Sequence, residues 1–106
     1  MTYINALEAL SDATRRAIIE RIAQGPCTVG EIAEIMPVSQ PAVSQHLRVL
    51  REAGLVEVRK DGARRIYSLA PDGLIELRAY FDRMWGDVLS AFKQAADNQS
   101  KGENDD

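Results

Sequence analysis

Apolar residues recur at steps of three and four through the first half of the chain, which is the period of an amphipathic helix. They predict a first short helix over about residues 2–10. Either Ser11 or Asp12 can cap a second helix, and Gly25 followed by Pro26 ends it. The chain is therefore expected to begin with two helices joined by a short connection.

Two further helices follow, each with a recognisable start. Thr28 and Glu31 have the spacing of a capping box, in which each side chain accepts a hydrogen bond from the backbone of the other residue. This third helix ends before Pro37, which disfavours helical geometry in the preceding residue. Ser39 is placed to cap a fourth helix over about residues 40–53. The side chains predicted to face inward from the third helix are Ile32, Ile35 and Met36.

The second half of the chain changes to strand chemistry and then returns to a helix. Residues 55–69 hold two runs rich in Val, Ile and Tyr around an Asp-Gly pair at 61–62, which favours a β-hairpin. A long helix is predicted over 72–96, and the polar residues 97–106 are predicted to form a disordered tail. The expected fold is mainly α with a small β-hairpin, in a single domain over 1–96.

Composition adds two exclusions. The 106 residues include no uninterrupted apolar stretch of the roughly 20 residues that a membrane span needs, so we expect no membrane contact. The single cysteine, Cys27, has no partner for an internal disulfide, and the N-terminal segment lacks the pattern of a secretory signal. These features predict a cytoplasmic protein.

Charge is distributed unevenly along the chain. The net charge is −3, but residues 44–71 carry six basic and three acidic side chains. Residues 1–43 carry three basic and five acidic side chains, and residues 72–106 carry four and eight. This asymmetry is expected if one surface meets phosphate and the others do not.

The fourth predicted helix has a polar face that differs from an ordinary solvated one. Solvated faces are usually rich in Glu and Lys, whereas this face offers amides, hydroxyls and guanidiniums, which match base edges and phosphates in a DNA major groove. An isolated helix of this composition is more simply interpreted as a plain surface. The residues on this polar face of the fourth helix are Gln40, Pro41, Ser44, Gln45, Arg48, Arg51 and Glu52.

The neighbouring segments favour DNA binding over the plain surface. A short helix and a brief turn precede the fourth helix, which is the order of a helix-turn-helix. The hairpin that follows carries Arg59, Lys60, Arg64 and Arg65 around its turn, where four cations repel one another unless phosphate is near. The three elements together predict a winged helix-turn-helix.

The segments ALSDATRRAIIERI and SQPAVSQHLRVLREAGLVEVRKDGARRIYSL, with the spacing between them, resemble the ArsR (ArsR/SmtB) family of small winged-helix repressors. The resemblance covers roughly residues 4–70. It implies a homodimeric bacterial transcription factor, associated with the nucleoid, that occupies an operator and is released by a signal. The DNA contacts predicted from the helix face and the resemblance are Ser39, Gln40, Ser44, Gln45, Arg48, Arg51, Arg59, Lys60, Arg64 and Arg65.

Two metal sites that are familiar in that family are not matched in this sequence. Thr28 and Gly30 stand where the family's Cys-x-Cys pattern places thiolates, and the last helix has no histidine. The packing of His46 and Cys27 in the fold is a simpler role for them than sensing. We therefore predict no metal site and no cofactor, with an unknown inducer; a metal- or thiol-responsive repressor is the alternative.

The last predicted helix carries more apolar surface than a small domain covers by itself, which favours pairing with a second copy. The first helix is expected to join this dimer interface. The residues predicted to form it are Ile4, Leu7, Leu74, Leu77, Phe81, Met84, Trp85, Val88 and Phe92.

Two other classes of function fit less well. With one histidine, one cysteine and no Gly-rich phosphate loop, the chain shows no nucleophile, base and stabiliser set, so we expect it not to be an enzyme. A winged helix used only for protein assembly would have an acidic or apolar recognition face, whereas this face is polar and basic.

Overall fold

The computed structural model describes the backbone of residues 2–104 and the side chains of residues 6–99. This part of the chain forms helices around an antiparallel two-stranded sheet, in the predicted order. None of its helices combines the length and the hydropathy that crossing a membrane requires. The elements are α1 (Thr2–Ala9), α2 (Ala13–Ala23), α3 (Val29–Ile35), α4 (Gln40–Glu52), β1 (Val56–Asp61), β2 (Arg64–Leu69) and α5 (Pro71–Asn104).

The connection between α1 and α2 uses both of its candidate capping residues, for different helix ends. The carboxylate of Asp12 accepts from the backbone N–H of Arg15 at 3.0 Å and caps the start of α2. The hydroxyl of Ser11 donates to the carbonyl of Glu8 at 2.6 Å and satisfies the end of α1. Each residue thus pairs a backbone group that the helix itself leaves unpaired.

The starts of α3 and α4 are confirmed. Thr28 and Glu31 form the full capping box, since each side chain accepts from the other residue's backbone N–H. Ser39 accepts from the backbone N–H of Ala42 at 3.3 Å, and the proline in the first turn lacks only a donor that would be unpaired anyway. These two caps determine where α3 and α4 begin.

The end of α4 is a Schellman motif built on Gly54. Its φ of 75° is the left-handed conformation that glycine adopts without steric cost. The Gly54 N–H donates to the carbonyl of Arg51, and the Leu55 N–H donates to the carbonyl of Leu50, both at 3.0 Å. The chain therefore reverses within two residues and enters β1 directly.

The hairpin has a two-residue loop. Asp61 pairs with Arg64, and Gly62 between them has φ of 64°. Because no residue other than glycine has positive φ in the described chain, the loop fits type II′. Cys27 adds a short bridge to β2, where its N–H and carbonyl exchange hydrogen bonds with Tyr67 at 3.0 and 2.8 Å.

The core joins every element except the outer part of α5. Of the three side chains predicted to face inward from α3, Ile32 is buried, but Ile35 is 59% exposed, so the prediction that it faces inward is wrong. The helix ends at Ile35, and the next residue, Met36, has extended backbone and packs against the core, as predicted for it. The largest fully buried side chains are Ile18, Ile32, Leu47, Leu50, Leu55, Val43 and Cys27.

The last helix is longer than predicted. It runs through Asn104, whereas the sequence predicts its end at Ala96 and a disordered tail from there. The polar residues beyond Ala96 contain no proline, and a helix that is already formed extends at little cost. Residues 105–106 lie outside the described part of the chain. The first turns of α5 pack against α1, and the helix then projects from the domain.

Candidate nucleic-acid interface

One face of α4 is anchored in the core and the opposite face is open to solvent. Val43, Leu47 and Leu50 are fully buried, which fixes the rotation of the helix about its axis. The side chains that the sequence assigns to DNA contact lie away from this anchor, and all of them are exposed. They are Ser39, Gln40, Ser44, Gln45, Arg48 and Arg51.

The hairpin distributes its four exposed cations over two faces. Lys60 and Arg65 are direct partners across the strands, so their side chains leave the same face of the sheet. Arg59 is opposite Ile66, and Arg64 is opposite Asp61, so these two arginines leave the other face. The sequence predicts the four cations at the turn, but it does not show which of them point together.

A shallow depression joins the hairpin to the end of α4. It is lined by Arg51, Val58, Arg59, Lys60 and Arg65, with no carboxylate among them. None of the four cations has an ion pair with any residue of the described chain. Like charges that face each other across two strands destabilise a hairpin, so this depression is a place where an anion is favoured.

The two remaining arginines of the predicted contact set are paired with carboxylates. Nε of Arg48 lies 3.2 Å from Oε1 of Glu52, one turn later on α4. Nη2 of Arg64 lies 3.7 Å from Oε1 of Glu31, on α3. The contact set therefore contains four open cations and two that the chain itself holds.

Thr28 holds the side chain of Glu31 in place independently of Arg64. Its Oε1 accepts from both the backbone N–H and the hydroxyl of Thr28, each at 3.0 Å. The hydrogen bond from the Thr28 N–H and then the one from its hydroxyl lower the pKa of Glu31, and Arg64 lowers it further. Glu31 is therefore ionised at neutral pH and offers a fixed acceptor to the hairpin.

Arg15 connects three helices behind this surface and is absent from the sequence prediction. Its Nε donates to the carbonyl of Ala9 at 2.6 Å, and its Nη2 donates to the carbonyl of Glu8 at 3.4 Å. Its Nη1 lies 3.5 Å from Nδ1 of His46 on α4. The sequence signal for it is a cation shortly after a helix end, where side chains often pair the last carbonyls.

Some of the residues predicted to meet a second copy pack within this chain, and the others are exposed on α5. Leu77 is buried within the chain, so we correct its assignment to a partner surface, because α1 already covers the first turns of α5. Leu7 and Leu74 are half-buried against the same core, and the side chain of Ile4 lies outside the described residues. The five residues that remain exposed are Phe81, Met84, Trp85, Val88 and Phe92.

Comparisons with known proteins bear on this architecture. Residues 12–58 match the family of bacterial regulatory proteins described as the arsR family. The HTH-type transcriptional regulator Rv2034 of Mycobacterium tuberculosis is 53% identical over 94 residues, which make up 89% of this chain and 88% of the relative. The chain belongs to the ArsR family.

Other relatives of this ArsR-family chain show the same kind of protein. The transcriptional repressor SdpR of Bacillus subtilis is 38% identical over 65 residues, which make up 61% of this chain and 72% of SdpR. A solved homodimeric winged helix-turn-helix DNA-binding domain, Mb0332 of Mycobacterium bovis, aligns with a TM-score of 0.66 at 28% identity, over 81% of this chain and 80% of that one. The winged helix-turn-helix fold is confirmed, and the relatives are transcriptional regulators rather than enzymes.

Cys27 and Thr28, beside and at the family's thiolate positions, both have structural roles in the fold. Cys27 is 1% exposed in the bridge to β2, and burial raises the pKa of its thiol. Thr28, at one of the positions where the family's thiolate pattern falls, is engaged in the capping box of α3. Within the described residues, no three His, Cys, Asp or Glu side chains gather where they could hold a metal ion.

Proposed function

We propose that this ArsR-family chain is a homodimeric repressor that binds an inverted-repeat operator through α4 and the hairpin, in the bacterial cytoplasm. The observation that carries the proposal is the depression lined by Arg51, Lys60 and Arg65 beside the exposed face of α4. A phosphate at this place offsets the repulsion between the cations, and the duplex that supplies it also brings base edges to the helix.

The two elements take different parts in recognition. Gln45 and Ser44 lie in the middle of the exposed face of α4, where an amide pairs with adenine and a hydroxyl with several bases. The hairpin cations hold the backbone of the same half-site. Replacing Gln45 with Ala is therefore expected to change base preference, whereas replacing Arg65 with Gln weakens binding to all sequences alike. The reverse pattern would show that these two roles are exchanged.

The shape of α5 supports the dimer. All described side chains from residue 81 onward are exposed, including Trp85 and Phe92 at 61% and 69%. A helix that projects with an apolar face of this size needs a second apolar surface to cover it. A second copy supplies one by twofold symmetry, and the two α4 helices then meet inverted half-sites about 34 Å apart or a small multiple of that.

Footprinting on the DNA upstream of its own gene tests the proposal. Protection of two blocks related by twofold symmetry, and loss of both with Arg51→Gln and Lys60→Gln, is the expected result. Arg78→Gln is the matched control, because Arg78 is an exposed arginine on α5 that pairs with Asp82. No protection by the wild-type protein, or equal loss with Arg78→Gln, would contradict the proposal.

We further propose that binding does not depend on a metal ion, since the hydroxyl of Thr28 is engaged with Glu31 in the capping box. The operator affinity is expected to stay the same when zinc or cadmium is added. Release of the operator by either ion would instead favour a metal-responsive repressor.

A further inference from the structure

The free protein occupies two of its proposed DNA-contacting arginines with its own carboxylates. Glu52 holds Arg48 at 3.2 Å, and Glu31 holds Arg64 at 3.7 Å. A carboxylate oxygen at this distance takes the place that a phosphate oxygen takes in a complex, because a guanidinium pairs with both groups in the same manner.

We propose that Glu31 and Glu52 compete with DNA phosphate for Arg64 and Arg48, and so lower the affinity of the protein for every duplex. This inference rests on the proposed function, since it assumes that these arginines meet DNA. Glu31 and Glu52 would then weaken DNA binding although they lie on the proposed DNA-binding surface.

Both ion pairs can open without disturbing the fold. Arg48 and Glu52 are mostly exposed, at 77% and 68% of their side chains, and Arg64 is 63% exposed. Glu31 keeps its two hydrogen bonds from Thr28 when Arg64 leaves, so its position does not depend on the ion pair. An exposed ion pair shifts an equilibrium by about two- to fivefold, which is enough to adjust affinity and too little to abolish it.

The cations without an ion pair differ from Arg48 and Arg64 in how readily they meet DNA. Arg51, Lys60 and Arg65 attract any duplex, because no carboxylate of the described chain pairs with them. Arg48 and Arg64 add their contacts only when an ion pair is given up. Binding to non-specific DNA depends almost wholly on such charge contacts, so each of the two carboxylates is expected to weaken this binding by about two- to fivefold.

The test replaces each carboxylate by its neutral amide. Glu52→Gln releases Arg48, and Glu31→Gln releases Arg64 while keeping the capping box, in which glutamine substitutes for glutamate. Glu57→Gln is the matched control, because Glu57 is an exposed carboxylate on β1 with no ion pair in the described chain. All three variants change the net charge by the same amount, so a general charge effect appears equally in each.

Affinity is measured by fluorescence anisotropy on a labelled random-sequence duplex, with the melting temperature of each variant recorded beside it. Relative to Glu57→Gln, the variants Glu52→Gln and Glu31→Gln are expected to bind about two- to fivefold more tightly each. In an Arg48→Gln background, the further change Glu52→Gln is expected to give no gain beyond the control, because the arginine that it releases is gone.

The outcomes separate this inference from the proposed function. If the wild-type protein binds the duplex but both variants match Glu57→Gln, the competition is absent and the inference alone fails. If affinity falls in the variants while their melting temperatures hold, the carboxylates position the arginines for DNA, which also overturns it. If the wild-type protein binds no duplex at any salt concentration, the proposed function fails as well.

Discussion

Gly73 in the first turn of α5 lies directly against the backbone of Gly54 at the end of α4. A β-carbon on Gly73 would overlap the carbonyl oxygen of Gly54. The start of α5 therefore packs against the end of α4, which we place in DNA, and the contact leaves no room for a side chain on Gly73.

We expect Gly73→Ala to destabilise the protein, because the fixed Gly54 turn cannot move away from the added methyl group. The loss is expected to be about 1–3 kcal/mol in urea unfolding, as for other overpacked sites. Gly86→Ala is the control within the same helix, where an added β-carbon meets no atom within 4 Å. That variant is expected to gain about 0.5–1 kcal/mol from helix propensity. Equal effects at the two positions would contradict the close approach.

Arg15 is expected to stabilise the junction of α1, α2 and α4. Arg15→Gln removes its bonds to the carbonyls of Ala9 and Glu8 and its contact with His46. We expect a loss of about 1–2 kcal/mol in urea unfolding, the net value of one or two hydrogen bonds. Arg16→Gln removes one exposed bond, to the carbonyl of Leu10, and is expected to cost less than about 0.5 kcal/mol. A larger loss for Arg16→Gln would refute this ranking.

The features that the sequence predicts well are those decided within a few residues. The cap at Asp12, the capping box of Thr28 and Glu31, and the turn at Gly62 each depend on local backbone chemistry. The predicted end of α5 at Ala96 differs from the structure, because a polar composition favours solvation and does not by itself end a helix.

The features that the sequence does not reveal join residues far apart in the chain. Arg64 reaches Glu31 across 33 positions, and Gly73 meets Gly54 across 19. Periodicity can place Arg64 at the hairpin turn, but it carries no information on which side chain from another helix lies beside it. The candidate DNA contacts could therefore be named in advance, and their division into open and held cations could not.

Acid is expected to destabilise the fold through two capping carboxylates. The bond from the Arg15 N–H lowers the pKa of Asp12, and the bonds from Thr28 lower that of Glu31. Because both groups bind protons more weakly in the folded state, their contribution is full above their unfolded-state pKa values of about 4 and is lost as pH falls through the folded-state values. Urea midpoints measured downward from about pH 5 should therefore fall, and fall less steeply in Asp12→Asn and Glu31→Gln, which keep the caps. An unchanged pH profile in both variants would contradict this assignment.

The single tryptophan of the chain can report on the proposed dimer. Trp85 is 61% exposed on α5, so we expect its emission to shift to longer wavelength as dilution separates the two copies. Phe92→Glu places a charge on the same apolar face and is expected to give the red-shifted emission and monomer mass of 11.7 kDa at all concentrations. Lys93→Glu introduces the same residue one position away, off that face, and should behave as wild type. Emission that is independent of concentration at a monomer mass would exclude this interface.

The most direct test of the account is the salt dependence of DNA binding. Two copies of a surface with six cations are expected to neutralise roughly 6 to 10 phosphates, so the logarithm of the association constant should fall against the logarithm of salt concentration with a slope of about −5 to −9. Lys60→Gln with Arg65→Gln should make that slope shallower, since each removes a phosphate contact. A slope near zero for the wild-type protein would contradict the claim that these cations meet the DNA backbone.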